Sequence, residues 1–366
     1  MQQDCLVVGA GFAGSTAARV LAEAGKRVLL IEEQETVAGH CHDYQDSNGI
    51  TVHSYGPHIF HTNSKAAWSF VTRFARFNSY QHRVLSRIGD QFLPFPVNRG
   101  TINMLFDLSL TAGREVRAFL QEEVGRATYN DPPQNFRDVV VSQVGERLYE
   151  TLFKAYTMKQ WERDPEELDP SVARRIPIRF DDEDRYFTDT HQGVPLKGYT
   201  RLVEAILDHP NITLELGQDY FDSKKNVDAG LTVYTGPLDR FFDYKYGELQ
   251  YRSLRLELKT ADKEHHQPAA VVNYPDQRPW TRITEYKYFL SEVSKRTTIC
   301  YEYPQSRGKP FYVVLTADNL NRRERYMEEV KTLDKVIFLG RLAEYQYYNM
   351  DQVIEAALRR VGALVS

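Results

Sequence analysis

Six residues near the start of the chain limit its fold more than any other stretch. Gly9-Ala10-Gly11-Phe12-Ala13-Gly14 has the spacing of a dinucleotide fingerprint, and its surroundings agree with it. Apolar residues 5–8 read as a strand, residues 15–24 as a helix stopped by Gly25, and residues 27–31 as a second strand ending at Glu32. In such a unit the first glycine makes the tight turn, the second lets backbone approach a pyrophosphate, and the third lets helix and strand pack closely. The helix N-terminus offers N–H groups and a partial positive charge to a diphosphate. Glu32 stands where a carboxylate accepts hydrogen bonds from an adenosine ribose. The spacing predicts a Rossmann-type unit that binds a dinucleotide.

A chain of 366 residues has room for two or three domains. The formal net charge of -4, without a long run of like charge, argues against nucleic acid as the main partner. Any anion site must therefore be built locally. The apolar runs are too short to span a bilayer, so no membrane insertion is expected. No charged-then-apolar leader precedes the first strand, so no signal peptide is expected either. Cys5, Cys41 and Cys300 are odd in number and widely spaced, which fits buried or free thiols in a reducing cytoplasm. His40, Cys41 and His42 are adjacent and cannot easily converge on one ion, so no metal is expected.

Beyond the fingerprint, residues 34–46 read as a polar loop and 50–53 as a short strand, and a helix starts near Ser64 as its N-cap. Residues 83–88 and 91–95 flank Gly89-Asp90 as a hairpin. From 101 to 156 the apolar spacing is helical, and Pro165, Pro170 and Pro177 then break it up and mark a mobile or irregular segment. Residues 202–207 form a helix, with strands at 212–216 and 231–234. The runs 252–258, 269–273, 281–284, 298–303 and 311–315 suit an antiparallel sheet, and 336–339 with a helix at 350–361 returns to the first domain. The expected fold is α/β, with a discontinuous Rossmann-type dinucleotide-binding domain, an inserted helical domain and an antiparallel β-sheet domain. The boundaries are 1–78, 192–237 and 312–366 for the first, 99–172 for the second, and 79–98, 173–191 and 238–311 for the third.

Eight blocks in order resemble the bacterial UDP-galactopyranose mutases. They are Val-Gly-Ala-Gly-Phe-Ala-Gly (8–14), Tyr-Gly-Pro-His-Ile-Phe-His-Thr (55–62), Lys-Ala-Tyr-Thr-Met-Lys-Gln-Trp (154–161) and Arg-Arg-Ile-Pro-Ile-Arg-Phe (174–180), followed by Tyr-Thr-Gly-Pro-Leu-Asp (234–239), Tyr-Arg-Ser-Leu (251–254), Thr-Arg-Ile-Thr-Glu-Tyr-Lys-Tyr-Phe (281–289) and Gly-Arg-Leu-Ala-Glu-Tyr-Gln-Tyr-Tyr-Asn-Met-Asp-Gln (340–352). The resemblance implies a cytoplasmic flavoenzyme, a homodimer, that interconverts UDP-galactopyranose and UDP-galactofuranose without net oxidation. Reduced FAD attacks the sugar's C1 through N5 and displaces the diphosphate, and NAD(P)H or another external reductant keeps the flavin reduced. The product would feed a galactofuranose-containing glycan.

The same resemblance assigns residues. Arg175 and Arg282 clamp the diphosphate, Arg being suited to bidentate phosphate contacts, and Tyr186, Tyr312 and Tyr347 donate hydroxyls to it. Tyr156 stacks on the uracil, Phe153 lines that pocket, and Trp161 sits on a mobile loop that covers the sugar. Asn349 contacts sugar or diphosphate, and His82 and Asn273 are secondary pocket residues. His58 and His61 are the tempting acid–base pair, and flavin positioning is the favoured role for their loop. The FAD set is Gly9, Gly11, Phe12, Ala13, Gly14, Glu32, Gly39, His40, His58, Ile59, Arg341, Tyr347, Asn349 and Met350.

The chain departs from the family pattern in places. Ala38-Gly39-His40 stands for Gly-Gly-Asn, Glu33-Gln34 for a basic neighbour of the ribose acid, Gln346 for a basic residue, and Tyr312-Val313-Val314 for Tyr-Pro-Val. These changes leave open a mutase of another nucleotide sugar, such as UDP-N-acetylgalactosamine or a dTDP-deoxysugar. An FAD-dependent oxidoreductase and a non-catalytic flavin-binding scaffold are the other readings.

Overall fold

The structure, a computed structural model, describes residues 3–174, 176–223 and 229–365. Its first layer is a five-stranded sheet in the order Val336–Phe338, Ala229–Tyr234, Gln3–Val8, Val28–Glu32, Ile212–Leu216, with every pair parallel. The two central strands that begin the chain are continuous apolar runs because both faces of a parallel sheet are covered. The helix Phe12–Glu23 lies on one face, packed against Gly198–Leu207 and the final helix Met350–Val365. The final helix presents Ile354, Ala357 and Val361 inward at spacings of three and four, which makes its buried stripe. Strands from three distant parts of the chain thus build one layer.

The second layer is a seven-stranded sheet in the order Tyr312–Val313, Tyr251–Ala261, Thr297–Gln305, Arg282–Glu285, Val271–Asn273, Val84–Ile88, Gln91–Phe95. The expectation of an antiparallel sheet needs one correction: Val271–Asn273 runs parallel to Val84–Ile88. A tight turn enforces antiparallel pairing, but these two strands are joined through the whole helical region, so no such constraint acts. The expected hairpin Val84–Ile88/Gln91–Phe95 is present.

Between the hairpin and the rest of this sheet lie helices Arg99–Phe106, Gly113–Gly125 and Phe136–Leu148, one wide π turn at Tyr149–Lys154, and Ala155–Trp161. Gly145 kinks the third of them at φ +79, where a Cβ would stand 2.7 Å from Glu123 Cβ. Ser64 caps Lys65–Thr72 as expected, accepting from the Ala67 N–H. The expected strand over 311–315 shrinks to Tyr312–Val313, and the loop over 34–46 contains the short strand Asp43–Gln45, paired with Thr51–His53.

Helix Ala317–Val330 has no counterpart in the sequence reading. It buries only Asn319 and Tyr326, so it lacks the apolar stripe that would reveal it. Thr316 caps it, an Arg322–Asp318 pair spans one turn, and Tyr326 donates to the Gly247 carbonyl at 2.8 Å.

Gly14 holds the first layer together by having no side chain. A Cβ there would lie 1.9 Å from the Gly9 carbonyl oxygen and 3.2 Å from Val7. Gly14→Ala should cost about 3 kcal/mol through overpacking. Gly362→Ala, in a helix with open space around it, should be neutral or gain up to about 1 kcal/mol. Thermal unfolding of the two variants beside the parent checks this, and equal midpoints for both would contradict it.

Candidate functional site

The cleft opens at the C-terminal ends of the parallel strands. Gly9 takes φ +97, and a Cβ on it would meet Thr235 Oγ1 at 2.2 Å. Gly11 faces Gly39, where a Cβ would stand 3.2 Å from the Gly11 Cα. The bare backbones of two loops therefore form a cradle. The helix above it has no side-chain N-cap and no acid in its first turn, so its leading N–H groups are left for an anion. The cleft has a volume of about 390 Å³.

Of the expected cofactor set, Gly9, Gly11, Phe12, Ala13, Glu32, Gly39, His40, His58, Arg341, Asn349 and Met350 line this cleft. Gly14 sits behind it as the packing glycine, and Ile59 is buried away from its wall. Tyr347 is outside the lining, in which its neighbour Tyr348 stands. Glu32 accepts from the Ala10 N–H at 2.7 Å and the Gln34 N–H at 2.9 Å. Burial raises its pKa while those two N–H groups oppose the rise. Sequence reasoning missed Asp219–Phe221, Arg240 and Lys309 at one end of the cleft. Tyr220 and Phe221 stand on the short helix Tyr220–Ser223, Arg240 on Leu238–Phe241 and Lys309 in a loop, and none has a motif spacing. Lys309 reaches across to Gln34 Oε1 at 2.6 Å and the Tyr55 hydroxyl at 3.1 Å.

Two of the departures from the family pattern, Ala38-Gly39-His40 and Glu33-Gln34, line the cleft. Ala38 takes φ +75, a left-handed backbone that costs a residue with a Cβ about 1 kcal/mol. The His40 ring stacks on Phe311 at 5.2 Å and 10°. Burial, then Arg341, His58 and Lys309, pull its pKa down to about 3, so it is neutral at pH 7.

His58 and His61 do not form a pair. The His58 N–H donates to His53 Nδ1 at 3.0 Å, and its own Nδ1 lies 2.8 Å from the Gly56 carbonyl. A carbonyl can only accept, so the proton sits on Nδ1 and Nε2 is bare. Burial pulls its pKa to about 3 as well. His61 lies elsewhere, 2.9 Å from Asp189 Oδ2 and stacked on Phe187 at 3.6 Å.

A second cluster surrounds Arg282. Its Nε donates to Glu302 Oε2 at 2.7 Å, and its Nη2 reaches the Tyr312 hydroxyl at 3.5 Å. Glu302 is fully buried and also accepts from Thr284 Oγ1 at 3.2 Å. Burial works against the guanidinium charge, but Glu302 holds its pKa well above the ordinary value. Tyr312 stacks parallel to Tyr347 at 6.1 Å, and Arg341 lies over both rings at 5.9 and 4.8 Å. Tyr156 lies near enough to Arg282, Glu302, Tyr186 and Tyr347 to feel their charges. Asn273 pairs in register with Arg282 on the adjoining strand.

Phe153 and Tyr186 both touch the Phe95 ring, at 5.9 and 6.3 Å, and Tyr186 also lies 5.7 Å from His82. Trp161, expected on a mobile cover, is buried in the main core at the end of its helix. Arg175 lies outside the described residues. No metal-holding group of His, Cys, Asp and Glu occurs among the described residues.

A sequence profile described as UDP-galactopyranose mutase matches residues 151–347, and one described as an NAD(P)-binding Rossmann-like domain matches 7–74. The chain belongs to the UDP-galactopyranose mutase family. It is 37% identical to the probable UDP-galactopyranose mutase of Klebsiella pneumoniae over 100% of this chain and 95% of that one. It is also 37% identical to the dTDP-fucopyranose mutase of Escherichia coli over 96% of each. Among solved structures, a reduced UDP-galactopyranose mutase superposes with a TM-score of 0.80 at 17% identity, covering 100% of this chain and 94% of that one. A putative protoporphyrinogen oxidase from Exiguobacterium sp. 255-15 follows at 0.71 and 12%, covering 100% and 99%. These two likenesses show the fold. As a member of the mutase family the chain is an isomerase with a Rossmann-type nucleotide domain.

Four of its histidines are held neutral, and two of them, His53 and His82, are almost wholly buried with pKa values pulled by burial to about 3. Their folded values lie below the unfolded value of about 6.5, so the unfolded chain takes up protons first as pH falls. Their contribution to stability is complete above about pH 6.5 and is lost below it. At pH 5.5 the loss is about 1.4 kcal/mol for each histidine. Urea midpoints at pH 7 and pH 5.5 measure it, and equal midpoints would contradict these buried neutral states.

Proposed function

We propose that this chain binds FAD in the cleft and, with the flavin reduced, interconverts the pyranose and furanose forms of UDP-galactose. The observation that carries the reading is Arg282 held between buried Glu302 and the Tyr312–Tyr347 stack. The cradle fits the cofactor: Gly11 and Gly39 approach so closely that a Cβ would fill the gap, under an uncapped helix end. Gly9, Gly11, Phe12 and Ala13 would hold the diphosphate, Glu32 the adenosine ribose, and Gly39, His40, His58, Arg341, Asn349 and Met350 the remaining length. When bound and reduced, the flavin supplies the nucleophile that displaces the nucleotide diphosphate from the anomeric carbon.

The chain's own residues supply the holding. Arg282 donates to the diphosphate through its accessible N–H groups while Glu302 keeps its plane fixed. Glu302 also cancels one unit of charge, so a dianion needs further cations. Arg341, set over Tyr312 and Tyr347, and Arg175 fill that part. Tyr312 and Tyr347 donate hydroxyls, and Tyr156, with Phe153 and Tyr186 nearby, packs on the base. Preorganised donors of this type act where charge develops on the leaving group. The proposed division of the chain keeps FAD on 1–78, 192–237 and 312–366, the base-binding helices on 99–172, and Arg282 on the sheet formed by 79–98, 173–191 and 238–311. A cytoplasmic homodimer reduced by NAD(P)H or a similar donor completes the reading. The buried free thiols Cys5, Cys41 and Cys300 are consistent with that compartment.

Equal identity to a dTDP-fucopyranose mutase favours one second reading, a dTDP-deoxysugar substrate. Dithionite-reduced holoprotein incubated with UDP-galactofuranose and, separately, dTDP-fucofuranose should convert the first to its pyranose form, with chromatography resolving the products. Conversion of the second alone would move the substrate, and conversion of neither would end the proposal. Arg282→Ala should retain the flavin's yellow colour and lose about 10²–10³-fold in kcat.

A further inference from the structure

Helix Ala155–Trp161 carries a cation that the proposed reaction does not use. Lys159, one turn after Tyr156, sends its Nζ into the turn between strands Val271–Asn273 and Arg282–Glu285. There it donates to the carbonyls of Tyr274 at 2.5 Å, Trp280 at 2.9 Å and Arg278 at 3.0 Å. An ammonium has three donors, and all three are used. No carboxylate pairs with it among the described residues: Asp276, the acid of this turn, is bound to Arg278. Burial lowers its pKa to about 8 while Asp276 acts the other way, so the protonated form prevails at pH 7.

The two ends of that turn matter most. Tyr274 directly follows Asn273, and Trp280 stands two residues before Arg282. The ammonium therefore ties the helix bearing Tyr156 to both ends of the turn whose flanking strands bear Asn273 and Arg282. From the other side, Arg252 donates to the Gln160 carbonyl at 2.9 Å and pairs with Glu162 at 2.8 Å. The helix is thus gripped at its last turn and has little freedom to slide along the sheet.

We propose that Lys159 is a positioning residue that sets the separation between Tyr156 and Arg282, and so the fit of the nucleoside diphosphate between them. The proposal rests on the reading that these two residues hold base and diphosphate. Three convergent carbonyls define one point in space, which a surface ion pair between flexible side chains does not. Losing that point lets the base platform shift against the phosphate clamp, and small shifts of this kind are costly to a bound state that needs both.

The test is UDP affinity of the oxidised holoprotein by isothermal titration, with flavin content and thermal midpoint measured on the same samples. Lys159→Met keeps the apolar stem and removes the donors. It should weaken UDP binding about tenfold or more and raise KM for the nucleotide sugar more than it lowers kcat, at unchanged flavin content. Lys159→Arg keeps the charge, but its planar fork cannot serve three convergent acceptors equally. It should fall between Met and the parent, and it decides the matter if Met does not fold. Lys154→Met removes a surface ammonium paired with Glu150 and leaves the carbonyl cage intact, so it should leave UDP affinity within about twofold, a change worth about 0.4 kcal/mol. Parent-like UDP affinity in Lys159→Met or in Lys159→Arg would overturn the lysine's role alone. A parent that binds neither UDP nor dTDP would overturn the nucleotide-sugar reading together with it.

Discussion

The Gly14–Gly9 contact decides where everything else can sit. Because neither residue carries a side chain there, the first helix settles onto the sheet with its N-terminus directly over the ends of the strands. That placement aims its unpaired N–H groups into the cleft and brings Gly11 against Gly39. The later segments are arranged around it: Thr235 closes on Gly9, Gly340 on Ala13, and Arg341 leads out of that last turn toward Tyr312 and Tyr347. A packing requirement of a few tenths of a nanometre thus links strand order to the position of a cation at the far side of the cleft.

Electrostatics at the second cluster follow from burial. A guanidinium partly withdrawn from water needs a partner, and a fully buried carboxylate needs one more. Glu302 and Arg282 meet both needs, with Thr284 taking the carboxylate's other oxygen. The pair fixes the arginine's plane at the expense of its net charge. In the proposed function, attraction for a dianion falls to Arg175 and to Arg341, whose own contacts are carbonyls and ring faces rather than acids.

Much of this was readable in the sequence because it rests on local patterns. The fingerprint fixed strand, turn and helix, the hairpin formed about Gly89-Asp90 as expected, and Ser64 capped its helix. What escaped reading depends on non-local contacts. Helix Ala317–Val330 carries almost no apolar stripe, since its stability comes from a cap, an ion pair and one tyrosine. The parallel pairing of Val271–Asn273 with Val84–Ile88 joins residues nearly two hundred positions apart. Lys159 and Lys309 look like solvent-facing charges in sequence, and only the fold shows the carbonyl cage of one and the cross-cleft reach of the other. The arginine expected at position 175 lies outside the described residues.

The histidines narrow the chemistry that the cleft itself can perform. His40 and His58 line it and are held neutral by burial, with Arg341 nearby adding to the effect on both. A neutral imidazole with its proton on Nδ1, committed to the Gly56 carbonyl, offers only a bare Nε2 to the cleft. It can accept a hydrogen bond but has no proton to give near pH 7. Positive charge in the cleft therefore comes from Arg240, Lys309, Arg341 and the helix terminus, and the imidazoles shape the wall without adding to it. In the proposed function such a surface holds anionic cofactor and leaving group through a cycle, because the charge on these two imidazoles does not change as pH varies around neutrality. In the proposed reaction, the proton movements of ring opening and closure fall to groups other than these two histidines.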